Sequence, residues 1–99
     1  MAESRGRGIN QRVVDFMKYT VYIIKNQHGA LYIGQTGNIY NRLTSHNEGK
    51  VFSTKNRGPW YLIYSEEFNS RSEAMKREKF LKKQKGGDVL KRIVENKED

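Results

Sequence analysis

The stretch Thr20-Val-Tyr-Ile-Ile-Lys-Asn-Gln-His-Gly-Ala-Leu-Tyr-Ile-Gly34 constrains the fold more than any other part of the chain. Two β-type apolar runs, residues 21–24 and 31–33, flank Asn26-Gln-His-Gly29, whose glycine supplies a positive φ where the loop needs one. The pattern predicts a β-hairpin, with strand one over about residues 19–24 and strand two over about residues 31–35. Tyr22 and Tyr32 stand ten residues apart. Around a turn centred on Gln27 they are expected to face each other across the hairpin, on one face of the sheet, because strand side chains repeat with a period of two.

Asn38 is placed to cap a helix running to about residue 47, with Ile39 and Leu43 as its inward pair and Gly49 ending it in a left-handed conformation. The loop over residues 50–59 holds Lys50, Ser53, Thr54, Lys55 and Arg57, and reads as a phosphate-contacting loop. Trp60-Tyr-Leu-Ile-Tyr-Ser has the aromatic and aliphatic content of a third, half-buried strand. Ser70-Arg-Ser-Glu73 is a capping box, in which hydroxyl and carboxylate satisfy each other's backbone amides. It opens a helix expected to reach about residue 85. Gly86-Gly87 stops that helix, and Asp88 caps a last short one with a narrow apolar face of Val89, Leu90, Ile93 and Val94. Residues 1–17 are polar, carry Gly6 and Gly8, and read as a flexible arm. The domain is expected over 18–95, followed by a tail over 96–99. No repeat or long linker divides it.

At 99 residues the chain suits one domain with one small core. Nineteen Lys and Arg against eleven Asp and Glu give a net charge of +8. That surplus favours a polyanionic partner through phosphate contacts and counterion release, the alternative being an inert basic surface. The absence of cysteine excludes a disulfide framework and a thiolate metal site and is compatible with a cytoplasmic location. The apolar runs fall well short of the ~18 residues that span a bilayer. The start lacks the apolar region of a secretory signal, so no membrane partner is expected.

Phosphodiester cleavage requires a nucleophile, charge stabilisation at phosphorus, and a group that protonates or coordinates the leaving oxygen. On a helical wheel Glu78 falls between Leu81 and Met75, close to Ala74, so its carboxylate is expected to point into the apolar sector. An inward carboxylate needs a partner, and a divalent cation or Arg42 would serve. The alternative is a structural ion pair with Arg77, Lys82 or Lys85. Tyr22 and Tyr32 also suit plain core filling. Arg42 and His46, at i and i+4, share a stripe with Asn38 offset from Ile39 and Leu43, where solvated polar residues would look the same.

Taken in order, Val21-Tyr22-Ile23, Tyr32-Ile33-Gly34, Arg42, His46, and Glu78 within Ala74-Met-Lys-Arg-Glu-Lys-Phe-Leu-Lys82 resemble the GIY-YIG nuclease superfamily. Tyr32-Ile-Gly-Gln-Thr36, Pro59-Trp60 and Glu73-Ala-Met-Lys-Arg-Glu-Lys79 are similar to its small stand-alone members. The resemblance extends over about residues 18–85. It implies an α+β fold, a small three-stranded antiparallel sheet flanked by helices, which agrees with the element order above. It implies that Tyr22 takes part in activating water, Tyr32 orients water and phosphate, Arg42 stabilises charge on phosphorus, and His46 assists proton transfer. Glu78 would hold a single magnesium or manganese ion.

Gly34 would let a strand end or a phosphate approach the backbone. Thr36 would bond the next turn or a phosphate, and Lys82 and Lys85 would extend the nucleic-acid surface. Two departures stand out. The first glycine of the family's name is absent, and Gln84 and Lys85 occupy the region where many members carry a polar residue, often Asn. The expected activity is a divalent-metal-dependent endonuclease acting on DNA rather than RNA. With no zinc-finger spacing and no second helical domain, little sequence specificity is expected. A monomer serving DNA repair or processing completes the reading. The alternatives are a nucleic-acid-binding module without turnover and a small domain that recruits RNA or acidic proteins.

Overall fold

A computed structural model describes residues 18–85 and 87–95. The expected arm over 1–17, Gly86 and the tail over 96–99 lie outside the described residues. Three strands, β1 (Tyr19–Asn26), β2 (Leu31–Thr36) and β3 (Trp60–Phe68), form an antiparallel sheet in the order β2-β1-β3. α1 (Ile39–Asn47) follows β2, while α2 (Arg71–Lys83) and α3 (Asp88–Glu95) follow β3. The chain is thus α+β, and β1 and β3 run longer than the apolar runs that announce them.

Local chemistry explains the boundaries. The Asn38 side chain accepts from the Asn41 amide at 3.0 Å to start α1, and the Ser70 hydroxyl accepts from the Glu73 amide at 3.1 Å to start α2, as N-caps do; of the expected capping box only this half is formed among the described residues. Gly49, at φ +76°, ends the first of these helices. α2 stops at Lys83, two residues short of expectation, and Gln84 and Lys85 continue as a turn.

The central strand contributes to both faces of the sheet, so it is apolar without alternation over Val21, Tyr22, Ile23 and Ile24, all buried. Val21, Ile23, Ile33 and Tyr64 pack with Ala74, Leu81 and Leu90 beneath α2 and α3. Tyr22, Ile24 and Trp60 form the second cluster with Tyr32, Ile39 and Leu43 beneath α1. Ile93 and Val94 are partly buried as expected, whereas Val89 is exposed.

Two features of register depart from expectation. Asn26 closes the hairpin with Ala30, its side chain accepting from the His28 and Ala30 amides at 3.0 and 2.9 Å. The loop is therefore Gln27-His28-Gly29, with Gly29 at φ +88°, a three-residue connection centred on His28. Tyr22 is consequently paired with Gly34, and Tyr32 with Ile24. The two tyrosines share a face but stand diagonally, not opposite each other. In β3 the pairing with β1 passes from Ile23↔Tyr64 to Ile24↔Leu62. Ile63 is the extra residue of a β-bulge, and it sends Trp60 and Tyr64 to opposite faces.

Candidate active site

Tyr22, Tyr32, Arg42 and His46 come together on the α1 face of the sheet. The phenol rings of Tyr22 and Tyr32 lie 6.3 Å apart, centre to centre, tilted by 37°. The His46 imidazole packs edge-on against both, at 5.7 and 4.9 Å. His46 is not a solvated member of a polar stripe: it is 1% exposed. Its Nε2 lies 2.7 Å from the Tyr22 hydroxyl and its Nδ1 lies 2.8 Å from Thr54 Oγ1. Arg42, one helical turn earlier and half-buried, sits beside the same phenols.

Electrostatics follow from this burial. Loss of hydration pushes the Tyr22 phenol up to about 12, opposed by the adjacent Arg42 guanidinium and reinforced by Tyr32 and the Glu78 charge. The Tyr22 phenol in turn raises Arg42, which stays cationic. Burial first, then the Arg42 charge, lowers His46 below its ordinary value. At neutral pH the pair is thus a protonated phenol beside a neutral imidazole, able to accept the phenolic proton.

Gly34 acquires a specific reason. A Cβ built there would meet the Tyr22 hydroxyl at 2.6 Å, its Cζ at 2.9 Å and Tyr32 Cε2 at 3.1 Å. The space over this glycine is filled by the tyrosines themselves, not left for a phosphate. Gly34→Ala is expected to displace the Tyr22 ring from His46, lowering stability by about 1–3 kcal/mol as overpacking does. Melting temperature and cleavage rate should fall together; an unchanged pair of values would show that the ring has room to move.

Glu78 corrects the wheel. Ala74 and Leu81 are buried but Met75 is exposed, so Glu78 lies at the margin of the apolar sector. Its side chain is 20% exposed and pairs with Lys82 at 3.1 Å, not with Arg42. Arg77 is engaged elsewhere, by Glu66 at 3.0 Å. α2 covers the opposite face of the sheet from α1, yet the Glu78 charge is felt at the Tyr22 phenol. Gln35 pairs with Val21 and so shares the α2 face. Its buried Oε1 is without a partner among the described residues, leaving a spare oxygen donor on the side of the sheet where Glu78 resides.

The residues expected to contact nucleic acid separate into two groups. Lys50, Ser53, Lys55, Arg57, Lys82 and Lys85 are exposed, with Lys50 paired to Glu48 and Arg57 lying over Trp60 at 5.7 Å. Thr36 is spent locally, its hydroxyl accepting from the Asn38 amide at 3.1 Å. Thr54 is 1% exposed and turned inward onto His46, so it is not a surface contact. Asn47 was not singled out by the sequence, yet its side chain brackets Trp60. It accepts from the Trp60 amide at 2.6 Å and donates to its carbonyl at 3.1 Å. The loop is thereby tied to the end of α1. An isolated Asn near a helix end carries no signal of such a distant partner.

Comparisons with known proteins concern the chain as a whole. Residues 18–91 match the GIY-YIG catalytic domain. A UPF0213 protein of Staphylococcus haemolyticus is 44% identical over 79 residues, covering 79% of this chain and 96% of that protein. One from Streptococcus agalactiae is 38% identical over 80 residues, covering 80% and 91%. The solution NMR structure of a UPF0213 protein from Bacillus halodurans is 31% identical, covers 75% of this chain and 92% of that chain, and has a TM-score of 0.43. Because the family match covers most of the chain, and relatives of 38–44% identity are matched over nearly their whole length, this chain belongs to the GIY-YIG family of nuclease domains.

Proposed function

We propose that the protein is a divalent-metal-dependent endonuclease that hydrolyses phosphodiester bonds of DNA with little sequence specificity, in DNA repair or processing. The observation that carries the reading is the buried 2.7 Å contact between the Tyr22 hydroxyl and His46 Nε2, with the Arg42 cation beside it. A core tyrosine has no need of a neutral imidazole and a guanidinium at its oxygen.

Tyr22 is too high in pKa to stand as a phenolate, so it works as a relay. As an attacking water gives its proton to the phenol oxygen, the phenol passes its own proton to His46 Nε2. Tyr32 orients water and phosphate from the neighbouring position. Arg42 donates to the oxygens on which negative charge grows. Its replacement by Ala is expected to lower the cleavage rate by about a hundredfold with the fold intact. Arg42→Lys should restore little, since an ammonium lacks the two-pronged geometry. Single-turnover rates on both variants check this, and full rescue by Lys would show that charge alone matters.

The residues suit one divalent ion, magnesium or manganese. Among the described residues no group of three His, Cys, Asp or Glu side chains forms a cage. Magnesium is commonly held by one or two carboxylates together with substrate phosphates, and Glu78, partly exposed at the margin of α2, with the spare Gln35 oxygen on the same face, fits that mode. When bound, the ion supplies Lewis-acid stabilisation of the phosphate and the leaving oxygen. Lys82 would release Glu78 and turn to the backbone. Lys50, Lys55, Arg57 and Lys85 offer further phosphate contacts, and Phe52, 93% exposed in the loop between them, offers a face to a base or sugar.

The test is incubation with supercoiled, linear, single-stranded and branched DNA and with RNA, with and without magnesium or manganese. Metal-dependent cutting of DNA is expected. Binding without cutting under every metal condition would favour the binding-module alternative, and cutting of RNA alone would overturn the choice of substrate. A sharp consensus from a random DNA pool would overturn the relaxed specificity.

A further inference from the structure

We propose that Thr54 is a positioning residue that fixes the His46 tautomer, holding the ring proton on Nδ1 so that Nε2 presents its lone pair to Tyr22. The inference rests on the proton-relay reading of Tyr22 and His46.

Three buried polar groups form a line: the Tyr22 hydroxyl, the imidazole and the Thr54 hydroxyl, joined by contacts of 2.7 and 2.8 Å. All three residues are essentially inaccessible to solvent. The direction of the chain is set at both ends. Thr54 Oγ1 has one proton to give, and it lies 3.4 Å from the Val51 carbonyl oxygen, which only accepts. With that proton directed to Val51, the hydroxyl accepts from His46 Nδ1–H. At the other end the phenol oxygen lies beside the Arg42 cation, which only donates, and an oxygen facing that donor favours sending its own hydrogen to Nε2. Each end therefore favours the same tautomer, the one that leaves Nε2 able to take a proton.

The loop is built to hold this hydroxyl in place. Phe52–Thr54 is a single 3-10 turn, closed by the Thr54 amide donating to the Val51 carbonyl at 3.1 Å. The Thr54 carbonyl accepts from the Trp60 indole at 3.2 Å and from the Arg57 amide at 3.3 Å. The Arg57 carbonyl accepts from the Asn26 side chain at 2.9 Å. These bonds are made by the main chain, so valine would keep them and fill the same space; only the contacts to His46 and Val51 belong to the threonine hydroxyl.

That difference is the test. The tautomer of His46 is read from its ring nitrogen chemical shifts by NMR on the full chain, in wild type, Thr54→Val and Thr54→Ser. Single-turnover cleavage is measured on the same three proteins. Wild type and the serine variant are expected to carry the proton on Nδ1. The valine variant should show a mixture or the opposite tautomer, with cleavage slowed about ten- to a hundredfold, the range seen when the group orienting a functional histidine is lost. If the valine variant does not fold, Thr54→Ala is read in the same way.

A wild-type ring protonated on Nε2 overturns the inference without any variant. So does a folded valine variant that keeps both tautomer and rate. A tautomer shift in the valine variant, with no cleavage of any substrate even by wild type, confirms the hold of Thr54 on His46 and overturns the nuclease reading instead.

Discussion

Glu78→Gln is expected to slow cleavage by on the order of a thousandfold or more, as loss of the carboxylate that would hold a catalytic ion does. DNA binding without metal should be retained or improved, because the substitution removes a negative charge that repels phosphate. The structure sharpens the stability side of this expectation. Among the described residues Glu78 pairs with Lys82, across one helical turn and partly in solvent, and pairs of that kind contribute less than about 1 kcal/mol. Melting temperature should therefore barely move. Unchanged cleavage would remove Glu78 from the chemistry, and a large fall in melting temperature would mark it as a structural residue.

Tyr22→Phe is expected to lower cleavage by about a hundredfold or more, the contribution of a positioned proton-transfer group. Sequence reasoning alone treats the two tyrosine-to-phenylalanine changes as equally mild for stability, below about 1 kcal/mol. The buried contact to His46 changes this for Tyr22. Its loss leaves Nε2 without a partner, at a cost of about 1–3 kcal/mol. Tyr32 is only partly buried, so Tyr32→Phe should stay near wild-type stability while losing activity. Single-turnover rates on protein shown to be folded separate the two effects, and normal turnover in Tyr22→Phe would end the relay mechanism.

Much of the local structure was legible in the chain. Asn38, Ser70 and Glu73 announce helix starts because capping needs only atoms within three residues. Gly29 and Gly49 mark left-handed positions for an equally local steric reason. The spaced set Tyr22, Tyr32, Arg42, His46 and Glu78 identified the family because order along the chain is itself sequence information.

What remained hidden was set by contacts between distant segments. Nothing near Ile63 signals that β3 bulges there, since the bulge exists only in its pairing with β1. The hairpin is the exception, because its one-residue shift of centre, from Gln27 to His28, turns on a local contact, the Asn26 side chain folding over its own loop, and it sets Tyr22 above Gly34 in place of Tyr32. His46 reads as polar surface on its own helix and becomes buried only once β1 and the loop carrying Thr54 close around it.

The sequence by itself therefore determined the elements, their caps and the inventory of reactive groups, because these depend on propensity and near neighbours. The tertiary structure alone decided which groups lost their water. Burial is a property of the closed core, and it is burial that raises the Tyr22 phenol, keeps His46 neutral and turns Thr54 from a loop residue into its partner.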